Sequence, residues 1–369
     1  MQFEVIAKCH TTRARVSRMC LALEAMGINL ILNNTYHLNL RPGIQVLKEV
    51  GGAHKFQGWN HNLLTDSGGF QLVSLSKFTK ITEEGALFSS PFDGEPTMLT
   101  PEESISIQHA IGADIMMQLD DVGMSLIKSH GGPRVEEAMW RTNLFAIVQG
   151  GLEEDLRDKC LDEMIARKDK VAGYAIGGLS GGEEKDCADK LPKTVCDHRP
   201  RYSMGIGFAE DLLVCVALGV DMADCVFPTR TARFGVALTS KGPLNLRLGK
   251  HAKEMCPIED GCPCPSCSSG VSRAFIHHTI TLETSAAHAI SQHNLVFQAR
   301  VMGGARGAIV NGTFPIYLKE FFANYFGDAG YPEWCVNALR SVGVDLLDDR
   351  PDTKVISGGG AKWEYSDAA

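Results

Sequence analysis

Short apolar runs recur along this chain, each ending at a glycine or polar residue and each followed by a segment that suits a helix. Ala113 to Leu119 runs into Asp120 and Asp121, and Leu144 to Val148 ends at Gln149. Val171 to Ile176 ends at Gly177, Tyr202 to Ile206 precedes Gly207, and Met222 to Phe227 stops at Pro228. Each run has the length of a strand. Between them lie amphipathic stretches, Leu152 to Arg167 and Ala209 to Leu218, and Pro101 opens another with proline in its first turn. Alternating strands and helices imply a parallel sheet. The polar residues gather where strands end, which in a (β/α)8 barrel is the catalytic face. The expected fold is therefore an α/β (β/α)8 TIM barrel, with a doubly wound sheet as the other solution. One connection is too short for either: Arg134 to Thr142 makes a brief helix and Asn143 begins the next strand with no loop between, so sequence is missing there.

With 369 residues, 44% of them hydrophobic, the chain can bury one large core or two ordinary ones. It holds no apolar run of membrane-spanning length, and residues 1–20 lack the apolar centre of a signal peptide. Twelve cysteines, most scattered singly, fit a reducing intracellular compartment. The net charge of -8 argues against indiscriminate nucleic-acid binding. Charge is uneven, however, because no acid lies between Asp224 and Glu254, where Arg230, Arg233, Lys241, Arg247, Lys250 and Lys253 could meet phosphates from one face. A solvated loop and hairpin fits that window equally well. The end of the chain, 347–369, with Gly358 to Gly360 and mixed charges, is expected to be a disordered tail.

Three thiols, Cys262, Cys264 and Cys267, fall within six residues. Thiolates this close repel, and soft sulfur with one imidazole suits tetrahedral zinc. Cys256, His277, His278, His288 and His293 all remain open as the fourth ligand. Without a His-x-His strand motif the metal is structural. Asp66 follows the apolar Leu63 and Leu64 and precedes Gly68 and Gly69, which fits either an acid at a strand end or a capped turn. Asp224 lies inside an apolar strand, where a carboxylate needs a partner or a task. Two acids on one barrel face suit a retaining displacement, one attacking an anomeric carbon and the other moving a proton. Phosphate-loop and nucleophile-elbow motifs are missing, and Glu210 stands where a dinucleotide loop needs its third glycine.

Asn33 to Leu38, Leu64 to Gln71, Val148 to Gly151, Ala175 to Glu183, Asp224 to Arg230, the cysteine cluster and Ser291 to Asn294 occur in one order that resembles the tRNA-guanine transglycosylase family, over about residues 1–345. The resemblance implies a barrel domain over 1–346 containing a zinc-binding subdomain over 250–298, one structural zinc, and His293 as its fourth ligand. It implies Asp224 as the nucleophile on ribose C1′ and Asp66 as general acid and base. Asp120 and Gln149 would hydrogen-bond the purine edge, the Gly178 and Leu179 backbone would read the rest, and Phe70 and Met204 would sandwich a base drawn out of its stack. Gly181 would leave room for the cyclopentenediol arm of queuine, which points to the eukaryotic branch, and Arg230 and Arg233 would touch the anticodon loop. The implied reaction exchanges guanine for queuine at wobble position 34 of GUN-anticodon tRNAs (His, Asn, Asp and Tyr types). The implied setting is a heterodimer with a non-catalytic accessory subunit in the cytoplasm, associated with the mitochondrial outer membrane. Against the family pattern, a segment between Arg18 and Leu21 and another before Asn143 are absent, and residues 185–191 are shortened. These departures predict an incomplete barrel, and an inactive form that only binds tRNA or a subunit is the alternative they raise.

Overall fold

The computed structural model describes residues 4–9, 16–68, 80–81, 85–89, 96–119, 144–149, 154–177 and 199–357. The chain divides into two compact units, Ile6–Glu183 with Lys190–Met204, and Met1–Val5 with Glu184–Asp189 and Gly205–Ala369.

The first unit is built on parallel strands β1 (Glu4–Cys9), β2 (Leu30–Asn33) and β3 (Asn62–Thr65). A small antiparallel sheet, β4 (Lys80–Ile81), β5 (Ala86–Ser89) and β6 (Pro96–Leu99), comes next in the chain. The parallel sheet then continues with β7 (Ile115–Met117), β8 (Leu144–Val148), β9 (Gly173–Ile176) and β10 (Arg201–Ser203). These seven parallel strands pair in chain order, Ala7 opposite Ile31, Leu64 opposite Ile115 and Val148 opposite Ile176, in a nearly closed barrel sheet. The architecture is that of a (β/α)8 barrel, and the sheet is nearly closed despite the absent segments. Every residue of β8 is buried, which is why its run is continuously apolar rather than alternating.

Helix α1 (Val16–Ala25) precedes β2, and α2 (Thr35–Leu38), α3 (Ile44–Val50) and α4 (Ala53–Gln57) fill the connection to β3. Helix α5 (Pro101–Ile111) starts where the proline predicts. Thr100 accepts from the Glu103 N–H at 3.1 Å, and Gly112 ends the helix in the left-handed region at φ 76°. Its Ile105 packs on Met116 and Leu144, while Met164 of α6 (Glu154–Ala166) packs on Ala146 and Tyr174.

In the second unit α7 (Ala209–Ala217) leads to β11 (Met222–Cys225), the eighth strand of the alternation, and then to α8 (Phe227–Arg233). The apolar run was expected to stay extended to Phe227. It ends two residues earlier because Pro228 fits the first helical turn, where the Phe227 N–H donates to Cys225 Sγ at 3.1 Å. A hairpin, β12 (Val236–Thr239) with β13 (Gly242–Asn245), is followed by α9 (Pro265–Ser268), α10 (Arg273–Thr279), and the long α11 (Thr284–Val310). Helices α12 (Phe314–Phe326) and α13 (Glu333–Ser341) close an apolar core around Leu213, Phe297, Phe322, Trp334 and Leu339, each side chain contributing about 1.5 to 3 kcal/mol by burial. Helix α11 begins inside the 250–298 stretch and continues past it into this core. Of the expected tail, residues 347–357 are described, and β15 (Val355–Ile356) pairs in parallel with β14 (Tyr331–Pro332). Residues 358–369 lie outside the described residues. Among the described residues, no helix is long and apolar enough to cross a membrane.

Candidate active site and metal centre

Parallel strands deliver their C-terminal ends to one edge of a barrel sheet, and the polar residues of the first unit sit at those ends. Asp66 follows β3, Gln149 follows β8, Gly177 follows β9 and Met204 follows β10. Asp66 is buried, with 8% of its surface exposed, so its carboxylate needs donors. The Thr35 N–H donates to Oδ1 at 2.9 Å and the Asn34 amide to Oδ2 at 2.6 Å. Helix α5 holds the flanking backbone. Its Ser104 hydroxyl donates to the Ser67 carbonyl at 2.7 Å. Gln108 accepts from Thr65 Oγ1 at 2.7 Å and from the Met117 N–H at 3.0 Å, and donates to the Met117 carbonyl at 2.9 Å.

Helix α6 treats the next two strand ends in the same way. The Gln149 N–H donates to Cys160 Sγ at 3.4 Å, and both terminal nitrogens of Arg157 donate to the Gly177 carbonyl at 3.1 and 3.2 Å. Burial lowers the pKa of that guanidinium. Asp66, Gln149 and Met204 are thus brought to the same end of one sheet. Phe70, Asp120, Gly178, Leu179 and Gly181 lie outside the described residues.

Asp224 belongs to the second unit, near the C-terminal end of β11 and buried at 5% exposure. The Gly205 N–H donates to its Oδ1 at 3.0 Å, a competent partner for a buried carboxylate. Directly after it, α8 presents Arg230 and Arg233 three residues apart, both exposed.

The same unit assembles Cys262, Cys264, Cys267 and His293, all buried, with their ligand atoms within 4.8 Å of one another. The three sulfurs lie 3.5, 3.6 and 3.5 Å from His293 Nδ1. A tetrahedral divalent ion bonded at about 2.3 Å to sulfur and about 2.0 Å to nitrogen sets that separation at about 3.5 Å, so the donor set fits. His293 Nε2 lies 2.8 Å from the Leu238 carbonyl, which can only accept, so the proton sits on Nε2 and Nδ1 faces the sulfurs. Burial disfavours a charged His293 ring, but hydrogen bonds to Cys262 and Cys267 outweigh it and raise the pKa to about 9. Hydrogen bonds from Cys264 and Cys267 pull the Cys262 thiol far down, while the bond to Cys262 pushes Cys264 up. Sulfurs contesting protons at this distance are what a cation relieves. The other candidate ligands point elsewhere: Cys256 and His288 are exposed, His277 donates to the Leu246 carbonyl at 3.0 Å, and His278 to that of Ala252 at 3.1 Å.

Asn294, next to His293, is fully buried. Its Oδ1 accepts from the Leu238 N–H at 2.8 Å, and its Nδ2 donates to the Pro228 and Val236 carbonyls at 2.9 and 3.1 Å. The sequence reading assigned no role to Asn34, Ser104, Gln108 or Asn294. Asn34 and Asn294 fall inside the Asn33 to Leu38 and Ser291 to Asn294 motifs, whereas Ser104 and Gln108 show only polarity at positions where a helix should turn apolar residues inward.

A buried acid at a strand end in each unit, with a three-cysteine, one-histidine cluster able to hold a metal ion in the second, is the set of features of a barrel enzyme carrying a candidate metal centre. A family model described as queuine tRNA-ribosyltransferase matches residues 9–327, and the chain belongs to that family. It is similar to the queuine tRNA-ribosyltransferase catalytic subunit of Schizosaccharomyces pombe, at 47% identity over 94% of this chain and 98% of the relative. The protein of the same description in Caenorhabditis briggsae is 46% identical over 88% of each chain. The queuine tRNA-ribosyltransferase of Novosphingobium aromaticivorans is 41% identical over 82% of this chain and 87% of its own.

Proposed function

We propose that this chain, a tRNA-guanine transglycosylase and hence a pentosyltransferase, exchanges guanine for queuine at the wobble position of GUN-anticodon tRNAs. The observation that carries the reading is a pair of buried, hydrogen-bonded aspartates at barrel strand ends in a chain matched to the family over residues 9–327. Asp224 attacks C1′ of the wobble ribose, forming a C1′–O ester bond as the C1′–N9 bond breaks. The electron pair leaves on guanine, which takes a proton from Asp66. Queuine then gives its N9 proton to Asp66 and attacks C1′, releasing the Asp224 carboxylate. The Gly205 N–H fixes the plane of Asp224, and the donors from Asn34 and Thr35 hold Asp66 in place for its two proton transfers.

Gln149, with Asp120, takes the purine edge, Met204 and Phe70 flank the ring, and Gly178, Leu179 and Gly181 complete the pocket for the larger queuine base. Arg230 and Arg233 meet the anticodon loop. The ion in the Cys262, Cys264, Cys267 and His293 centre is zinc, one per chain, with a structural role. The partner is a non-catalytic accessory subunit in a heterodimer, in the cytoplasm and at the mitochondrial outer membrane. That setting rests on the resemblance and on the words "catalytic subunit" in the description of the yeast relative.

The test supplies queuine to tRNA carrying labelled guanine at the wobble position. Release of label, together with a denaturant-resistant tRNA adduct that Asp224→Asn abolishes, is expected. An adduct that survives in Asp224→Asn removes Asp224 as nucleophile, and tRNA binding without release favours the binding-only alternative.

A further inference from the structure

We propose that Arg157 is a positioning residue for base recognition, acting with Cys160 one turn further along α6 to set the carboxamide of Gln149. The inference rests on the reading of Gln149 as a base contact. The i, i+3 spacing turns both side chains to one face of α6, toward two adjacent strand ends. Cys160 accepts from the Gln149 N–H at 3.4 Å and lies 3.9 Å from the Ile147 carbonyl, so it borders the end of β8. Arg157, only 2% exposed, directs both terminal nitrogens to the Gly177 carbonyl at the end of β9.

Placing a guanidinium there has a large desolvation penalty, and an apolar side chain of similar volume would fill the space without it. Among its contacts the guanidinium supplies a two-pronged hold on one carbonyl. That carbonyl belongs to a glycine over which Gln149 lies: a Cβ on Gly177 would come 2.6 Å from Gln149 Nε2 and 2.7 Å from Ile147 Cγ2. The carboxamide therefore rests on the bare backbone that Arg157 secures. Its aim at the donor and acceptor edge of a purine-type base follows any movement of β9. Misplacement of a contact group by about 1 Å is enough to cost up to about a hundredfold in rate.

The experiment uses the full chain, reading base affinity as KM for queuine in exchange and as Kd for guanine by calorimetry, alongside KM for tRNA and the melting temperature. Arg157→Lys keeps the charge but loses the planar fork, and Gly177→Ala leaves Arg157 intact while displacing the carboxamide. Each is expected to weaken base affinity by about tenfold, the worth of one neutral hydrogen bond, with KM for tRNA within about twofold of the parent. Arg157→Lys combined with Gln149→Ala should bind base no more weakly than Gln149→Ala alone. Unchanged base affinity in both Arg157→Lys and Gly177→Ala, or full additivity with Gln149→Ala, overturns the proposal. If Gln149→Ala itself leaves base affinity unchanged, the assignment of Gln149 to the base fails, and the relay through it fails too. If Gln149→Ala weakens base affinity while the other two do not, only the relay fails.

Discussion

Asn34 does two jobs with one amide. Its Oδ1 caps α2 by accepting from the His37 N–H at 2.9 Å, and its Nδ2 donates to Asp66. Asn34→Asp keeps the capping acceptor but sets a second carboxylate against the first. Single-turnover guanine release is expected to fall by about tenfold to a hundredfold, the worth of a hydrogen bond to a charged group, and the melting temperature at neutral pH to fall with it, because two buried carboxylates this close repel or must take up a proton. Asn294 presents the opposite case, a residue that carries stability. Asn294→Ala strands the Leu238 N–H and the Val236 carbonyl in a dry site, while the Pro228 carbonyl keeps the Thr231 hydroxyl at 3.2 Å; each unmet group costs about 1 to 3 kcal/mol, and urea denaturation should show a loss in that range or above it. At the surface, hydrogen bonds from His251 and Arg273 hold the Glu254 carboxyl below the usual carboxylate range. A lowered pKa means that its contribution is present above the usual carboxylate value and is lost as pH falls through the lowered one. Glu254→Gln should therefore flatten the acid side of the melting-temperature profile and leave the neutral side with no pH dependence from this residue.

Helices α5 and α6 share a device: polar side chains on an otherwise apolar inward face grip the backbone at neighbouring strand ends. Apolar runs made the strands β7 to β11 legible, and Pro101 marked the start of α5, because burial and proline stereochemistry act locally. The grips of Ser104, Gln108 and Arg157 were not legible, since in a linear pattern a polar residue on the buried face looks like an interruption until its partner, 9 to 37 residues away, is known. The same limit left five candidates for the fourth metal ligand by spacing alone, and only the packing of α11 against α9 and β12 brings His293 Nδ1 to the sulfurs. That packing links the cysteine and histidine cluster to its neighbours within the second unit: His293 touches Leu238 of β12, and Asn294 touches both β12 and α8. Cys264→Ser should lose the metal, seen as zinc per chain falling from about one toward zero by elemental analysis. Amide exchange should then accelerate at Leu238 and along α8, while β8 and β9 in the first unit keep their protection.

Over the whole molecule, the short connection before Asn143 signalled missing sequence through loop length alone. The alignment to the Schizosaccharomyces pombe relative spans 405 positions against a chain of 369 residues, so stretches of the relative have no counterpart in this chain. Charge is also distributed at this scale. The chain carries a net charge of -8, yet Arg230, Arg233, Lys241, Arg247, Lys250 and Lys253 are all exposed in one unit. An acidic protein that binds a polyanion must do so through locally basic stretches such as this one, and its affinity must be set largely by counterion release. The logarithm of tRNA affinity should fall linearly with the logarithm of salt concentration, by about 0.7 to 0.9 per phosphate engaged. Replacing Arg230 and Arg233 together by alanine should reduce that slope by about 1.4 to 1.8 and weaken every tRNA alike, while calorimetric Kd for guanine stays at the parent value, because phosphate contacts position the nucleic acid without reading its bases. A slope unchanged by the double substitution would place the anticodon backbone on the remaining cations, Lys241, Arg247, Lys250 and Lys253, and would take the two arginines out of the interface.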